Sequence, residues 1–118
     1  MPERDKARDW RVLVADMIEH ADYARFHVKE MDRDTFCADL KTIHAVTRCV
    51  EVIGEAARHV PDEIRAQAPD IPWAQIVGTR HILAHHYGRV DPVLLWNLVN
   101  TRLEPLEREL QALLAEYP

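Results

Sequence analysis

Apolar residues recur in alternating steps of four and three along much of this chain, and that spacing restricts the fold more than any other feature. Along an α-helix it gathers the residues on one face. The strand-like period of two is absent, so the sequence predicts an all-α fold. Three rows show the helical spacing: Trp10, Val14, Met17, Ala21, Ala24, Val28 and Met31; Ile43, Val46, Val50, Ile53, Ala57 and Val60; Leu95, Val99, Leu103, Leu106, Leu110, Leu113 and Tyr117.

Helix-stopping and capping residues divide the chain into four main helices. The first three are predicted over residues 6–31, 39–60 and 72–87. Pro61 ends the second, because proline cannot continue a helix. The fourth starts with Asp91 as its N-cap and Pro92 in its first turn, and Pro105 is expected to kink it.

Short helical turns are expected between the main helices, at residues 36–38, capped by Asp34 or Thr35, and at residues 62–68. The short connections favour an antiparallel up-and-down helical bundle, which we expect to form a single domain over residues 1–118. Gly54 and Gly78 fall inside predicted helices. Either another helix approaches closely there or the glycine is simply tolerated.

The overall composition excludes several classes of protein. The 118 residues carry a net charge of −5, whereas dedicated duplex-DNA binders are usually basic. The start lacks the apolar run of a signal peptide and no stretch reaches a membrane-span length, so we expect a cytoplasmic protein without membrane contact. Cys37 and Cys49 are interpreted as reduced core or surface thiols. Acidic residues near both ends are interpreted as solvated helix faces: Glu3, Asp5, Asp9, Glu104, Glu107 and Glu109.

The third predicted helix carries most of the candidate chemistry. Its apolar row includes Arg80, which either extends its guanidinium to water or directs it into a cleft that suits phosphate. His81 and His85 have the spacing of a helical metal pair, but no third ligand is evident, so no metal site is predicted. Arg80 and His85 lie about 140° apart on an ideal helix. They can share one site only if the helix loosens at its end or a second copy of the chain lines the cleft.

Two segments resemble the HepT-like group of HEPN-domain proteins. One is RCVEVIGEAA at residues 48–57, and the other is IPWAQIVGTR at residues 71–80, followed by ILAHHY at residues 82–87. The pattern of arginine, four residues, histidine, one residue and tyrosine falls on Arg80, His85 and Tyr87. The resemblance extends over residues 9–114. One departure is His81, where the family commonly has asparagine.

The resemblance implies a HEPN-like bundle that forms homodimers and acts as the toxin of a toxin–antitoxin system. Such toxins are metal-independent endoribonucleases that need no cofactor. Carried over, Arg80 and His85 are catalytic, and RNA rather than DNA is the substrate. The antitoxin is an MntA-like minimal nucleotidyltransferase that silences the toxin by AMPylation of Tyr87, within the homodimer or a larger hetero-oligomer. Auxiliary substrate-binding residues would be His81, His86 and Arg89.

An alternative function uses the same residues without catalysis. HEPN-like bundles also serve as nucleotide- or substrate-binding partners of nucleotidyltransferases. In that case Arg80 and His85 bind a phosphate and cut nothing. Growth arrest on induction of this chain alone is expected only for the toxin.

Overall fold

A computed structural model describes residues 9–84 and 90–117, with the backbone alone for residues 80–84. The described part is all-helical and contains no strand. Its six helices are α1 (Trp10–Val28), α2 (Arg33–Cys37), α3 (Leu40–His59), α4 (Asp62–Ala66), α5 (Trp73–Ala84) and α6 (Pro92–Glu116). Four are long and two are short, which confirms the predicted all-α architecture.

The predicted apolar rows form the core. Every member of the second row is buried, and so are the inner members of the first and third rows, whereas Trp10, Met31 and Tyr117 at the row ends are half-buried. The rows meet because α1 packs against both α3 and α6. Helix α2 closes one end by contacting α3 and α6, and its fully buried Phe36 lies 5.4 Å from Trp96, centroid to centroid.

Helix starts follow the acidic caps. The Asp39 carboxylate accepts a hydrogen bond from the Thr42 amide at 3.1 Å, and Asp91 accepts from the amides of Val93 and Leu94. The prediction for α6 is therefore confirmed at its start. The helix also continues past Pro105 without interruption.

Two boundaries differ from prediction. Helix α1 ends at Val28 instead of residue 31, because Glu30 adopts a left-handed backbone with φ of 69° that no helix can accommodate. Helix α2 begins at Arg33 rather than at residue 36. Its cap is Asp32, whose carboxylate accepts from the Thr35 amide at 2.8 Å, so the prediction of Asp34 or Thr35 as the cap was wrong.

Glu107 also departs from prediction. It was expected on a solvated face, yet its side chain is only 9% exposed and accepts a hydrogen bond from Arg25 at 2.7 Å. The carboxylate falls within the buried row of α6, between Leu103 and Leu110, so burial follows from helical spacing. This ion pair joins α1 to α6 and raises the pKa of Arg25, chiefly through the hydrogen bond to Glu107.

Candidate functional site

Helix α5 holds the first residues of the candidate site against the bundle. Its start is fixed by Trp73, which is buried and donates its indole N–H to the carbonyl of Ala68 at 3.1 Å. The Ile76 amide bonds to the carbonyl of Pro72, as expected for a helix that begins near this proline. Because α5 packs on α3, its first turns are held against the bundle.

The predicted catalytic residues fall at the edge of the described structure. Arg80 and His81 lie on the helical backbone of α5, and their side chains are outside the described part. His85, His86, Tyr87 and Arg89 lie outside the described residues altogether. The roles assigned to these six residues therefore remain predictions.

The backbone of α5 does narrow one of the two options for bringing Arg80 and His85 together. The helix is continuous from Trp73 to Ala84. If the helix loosens between Arg80 and His85, it can therefore do so only after Ala84. The alternative is that one copy of the chain supplies Arg80 and a second copy supplies His85 to the same cleft.

A groove of about 590 Å³ between α5 and α6 was not predicted. Its floor is formed by Val50 and Ile53 of α3, with α5 along one side and α6 along the other. On the α5 side it extends to Thr79, the residue before Arg80 in the chain. Gly78 leaves room here, since a Cβ placed on it would meet no atom within 4 Å. Among the residues that the structure describes, no other helix approaches Gly78 closely, which favours simple tolerance of this glycine.

Polar side chains line the two sides of this groove. Arg102 of α6 donates to the Gln75 side-chain oxygen of α5 at 3.4 Å, which links the two helices across the groove. Asn97 and Thr101 add an amide and a hydroxyl from α6, and Glu109 is the carboxylate among the lining residues. Most of the remaining lining residues are apolar.

The side chains described elsewhere provide neither an activated cysteine nor a metal cluster. Burial raises the pKa of the Cys49 thiol, which disfavours the thiolate that a cysteine nucleophile requires. In the part of the chain whose side chains are described, no group of three or more His, Cys, Asp or Glu residues could hold a metal ion. The other four histidines lie at or near the surface: His27, His44 and His59 are exposed and His20 is half-buried.

Comparison with known proteins identifies the family. The sequence model described as ribonuclease HepT-like matches residues 17–113. The chain belongs to this family. Among its relatives is the protein named "Putative RNase MJ1380" from Methanocaldococcus jannaschii, 33% identical over 88% of this chain and 95% of the relative. Another is the "Probable ribonuclease HepT" from Thermococcus cleftensis, 30% identical over 90% of this chain and 96% of the relative. No solved structure matches the chain.

The structure describes the whole of one of the two segments that resemble the HepT-like family, residues 48–57. In residues 48–57 the buried side chains include Cys49, Val50, Ile53 and Ala57, so much of this segment is core. Val50 and Ile53 also form the groove floor.

Within residues 9–84 and 90–117, no helix combines the length and the apolar character needed to cross a membrane.

Proposed function

We propose that this HepT-like chain is a metal-independent endoribonuclease and the toxin of a toxin–antitoxin pair. The supporting observation is the family match over residues 17–113, which spans Arg80, His85 and Tyr87. In this proposal residues 1–118 form one cytoplasmic domain that works as a homodimer.

The proposed reaction uses the attacking group of the RNA itself. His85 accepts the proton of a 2′-hydroxyl, whose oxygen forms a bond to the adjacent phosphorus. The bond from phosphorus to the 5′-oxygen breaks, and that oxygen takes up a proton from a general acid, supplied by a second His85 in the dimer. Arg80 stabilises the negative charge that builds on the non-bridging oxygens. The products carry a 2′,3′-cyclic phosphate and a 5′-hydroxyl.

The remaining residues of the segment would bind RNA and receive the silencing group. Together with Arg80, the residues His81, His86 and Arg89 would form a local basic patch that compensates for the acidic net charge. AMP attached to Tyr87 by an MntA-like nucleotidyltransferase would place a phosphate beside Arg80 and obstruct the cleft. Tyr87→Phe should therefore escape silencing by that partner, whether the partner binds the homodimer or a larger assembly. A Tyr87→Phe chain that is silenced as fully as the parent would refute this role.

The decisive experiment is cleavage of labelled single-stranded RNA in EDTA. His85→Ala should lower the rate by about 10²–10⁴-fold, the usual contribution of a general base. His44→Ala is the matched control, because His44 is an exposed histidine of α3. DNA of the same sequence should be spared since it lacks the attacking hydroxyl. Equal cleavage by the two variants would contradict the assignment of His85. Failure of the unmodified parent to cleave would favour the non-catalytic nucleotide-binding partner.

A further inference from the structure

The groove beside α5 plays no part in the proposed bond cleavage, yet it has the dimensions of a ligand site. Its volume of about 590 Å³ falls within the roughly 300–1,000 Å³ of small-molecule pockets. Val50 and Ile53 give it an apolar floor, and Ile76 and Leu98 contribute half-buried apolar surface on its sides. Such surfaces suit the flat face of an uncharged ring system.

Two side-chain amides provide hydrogen bonds at the sides of the groove. Asn97 of α6 is exposed, and its amide has no hydrogen-bond partner among the residues that the structure describes. The Gln75 oxygen accepts from Arg102, which leaves the Gln75 amide N–H groups available. Asparagine and glutamine amides pair with the donor and acceptor edges of nucleobases, adenine above all.

The charges of the groove favour a base over a phosphate. Arg102 and Glu109 carry one positive and one negative charge, so they nearly cancel. Arg102 is also partly engaged by Gln75. A phosphate would therefore gain little in the groove. The guanidinium that suits a phosphate belongs to Arg80, which directly follows the lining residue Thr79 in the chain.

We propose that this groove is a base-binding subsite, which takes one unpaired nucleobase of the RNA next to the phosphate that is cut. The proposal rests on the proposed function, since that function supplies the RNA. Single-stranded RNA is commonly recognised through splayed bases whose edges bond to side chains. Asn97 would read the base edge, and the space beside Gly78 would admit the ring.

Binding can be tested without cleavage. The isotope-labelled full chain would be titrated with 2′-O-methyl hexanucleotides of A, C, G or U, whose blocked hydroxyl prevents cutting, and followed by NMR. The amide signals of residues 75–79 and 97–102 should shift, and the four affinities should differ. Asn97→Ala should weaken the preferred hexanucleotide roughly tenfold and level the four affinities.

Two further variants provide the control and the block. Asn100→Ala is the matched control, because Asn100 lies on the same helix but its amide already donates to the Trp96 carbonyl at 2.9 Å. It should change neither affinity nor base preference. Gly78→Leu should fill the groove and abolish base preference, and the space at Gly78 accommodates the Cβ of the new side chain. Circular dichroism would verify that each variant is folded.

Three results would overturn the subsite. The first is the absence of groove shifts with every hexanucleotide, and the second is an equal loss of binding in the Asn97 and Asn100 variants. The third is a dimer in sedimentation experiments that Leu94→Asp converts to a monomer. Exposed Leu94 lines the groove, so this result would mean that a second copy of the chain occupies it. The cleavage assay separates the two proposals: cutting without groove shifts refutes the subsite alone, and base-selective binding without cutting refutes the nuclease and leaves the groove as a site that only binds RNA bases.

Discussion

The ion pair between Arg25 and Glu107 should make the two partners unequal in their effect on stability. Glu107 is 9% exposed and Arg25 is 38% exposed, so only the arginine reaches water. Arg25→Met therefore leaves a buried carboxylate without its cation. Removing one member of a fully buried pair costs about 3–5 kcal/mol, and the partial exposure here lowers our expectation to about 2–3 kcal/mol.

Glu107→Gln should be milder, at about 1 kcal/mol. The glutamine oxygen still accepts the hydrogen bond from Arg25, and the guanidinium keeps both its solvent contact and Glu104 at 3.9 Å. Replacing both partners by apolar residues, Arg25→Met with Glu107→Leu, should be nearly neutral, because no buried charge then remains. The two positions should thus be strongly non-additive.

Urea unfolding at fixed protein concentration, followed by circular dichroism, measures these differences. With an m-value of about 1–3 kcal/mol per molar urea, a loss of about 2–3 kcal/mol in Arg25→Met should lower the midpoint by roughly 0.7–3 M. Arg108→Met is the control, because Arg108 pairs with Glu104 across 3.7 Å on the exposed surface and should cost less than about 1 kcal/mol. If Arg25→Met cost no more than Arg108→Met, the reasoning from burial would be refuted.

Three further predictions concern the backbone and the caps. Glu30→Gly should stabilise the chain by about 1 kcal/mol in urea unfolding, because φ at this position is 69°; a loss of stability would contradict this. Gly78→Ala should stabilise by a similar amount, about 1 kcal/mol, since the added methyl meets no atom within 4 Å in the fold, and destabilisation would show that the site is more crowded. The Thr42 amide holds the pKa of Asp39 below its usual range. The stability that the Asp39 carboxylate contributes is therefore present above its pKa in the unfolded chain and is lost as pH falls through its pKa in the folded chain. Asp39→Asn should thus be less stable than the parent at pH 6 in thermal unfolding, and that gap should close towards pH 3; a gap independent of pH would oppose this linkage.

Helical spacing accounts for most of what could be predicted of the fold. Apolar rows on three helices define the faces that meet in the core, and Asp91 before Pro92 marks a helix start with little ambiguity. The same spacing contained the signal for Glu107, which lies in register with Leu103 and Leu110, although its acidic side chain favoured a solvated face. The left-handed turn at Glu30 had no signal, since glutamate does not favour that conformation.

The groove could not be predicted because its shape depends on how far apart α5 and α6 stand. Sequence periodicity specifies which face of each helix is apolar, not the separation between α5, which packs on α3, and α6, which packs on α1 and α2. A partial signal existed in Leu94 and Leu98, which lie outside the core row of α6 yet are apolar, at a spacing that places both on one side. An apolar residue off the core row indicates either an interface or a ligand site.

Helix α5 connects the two proposals through its geometry. Trp73 and Ile76 pack towards the bundle, and Gln75, Gly78 and Thr79 border the groove, so the backbone that carries Arg80 is fixed by the same turns that shape the base subsite. A base held in the groove would therefore be positioned relative to Arg80 by a continuous helix instead of a loop. Such coupling requires Asn97→Ala to alter cleavage selectively: the rate should fall for RNA with the preferred base and remain nearly unchanged for the others. A uniform loss for all RNAs would mean that the groove contributes to stability or assembly and has no part in reading the base.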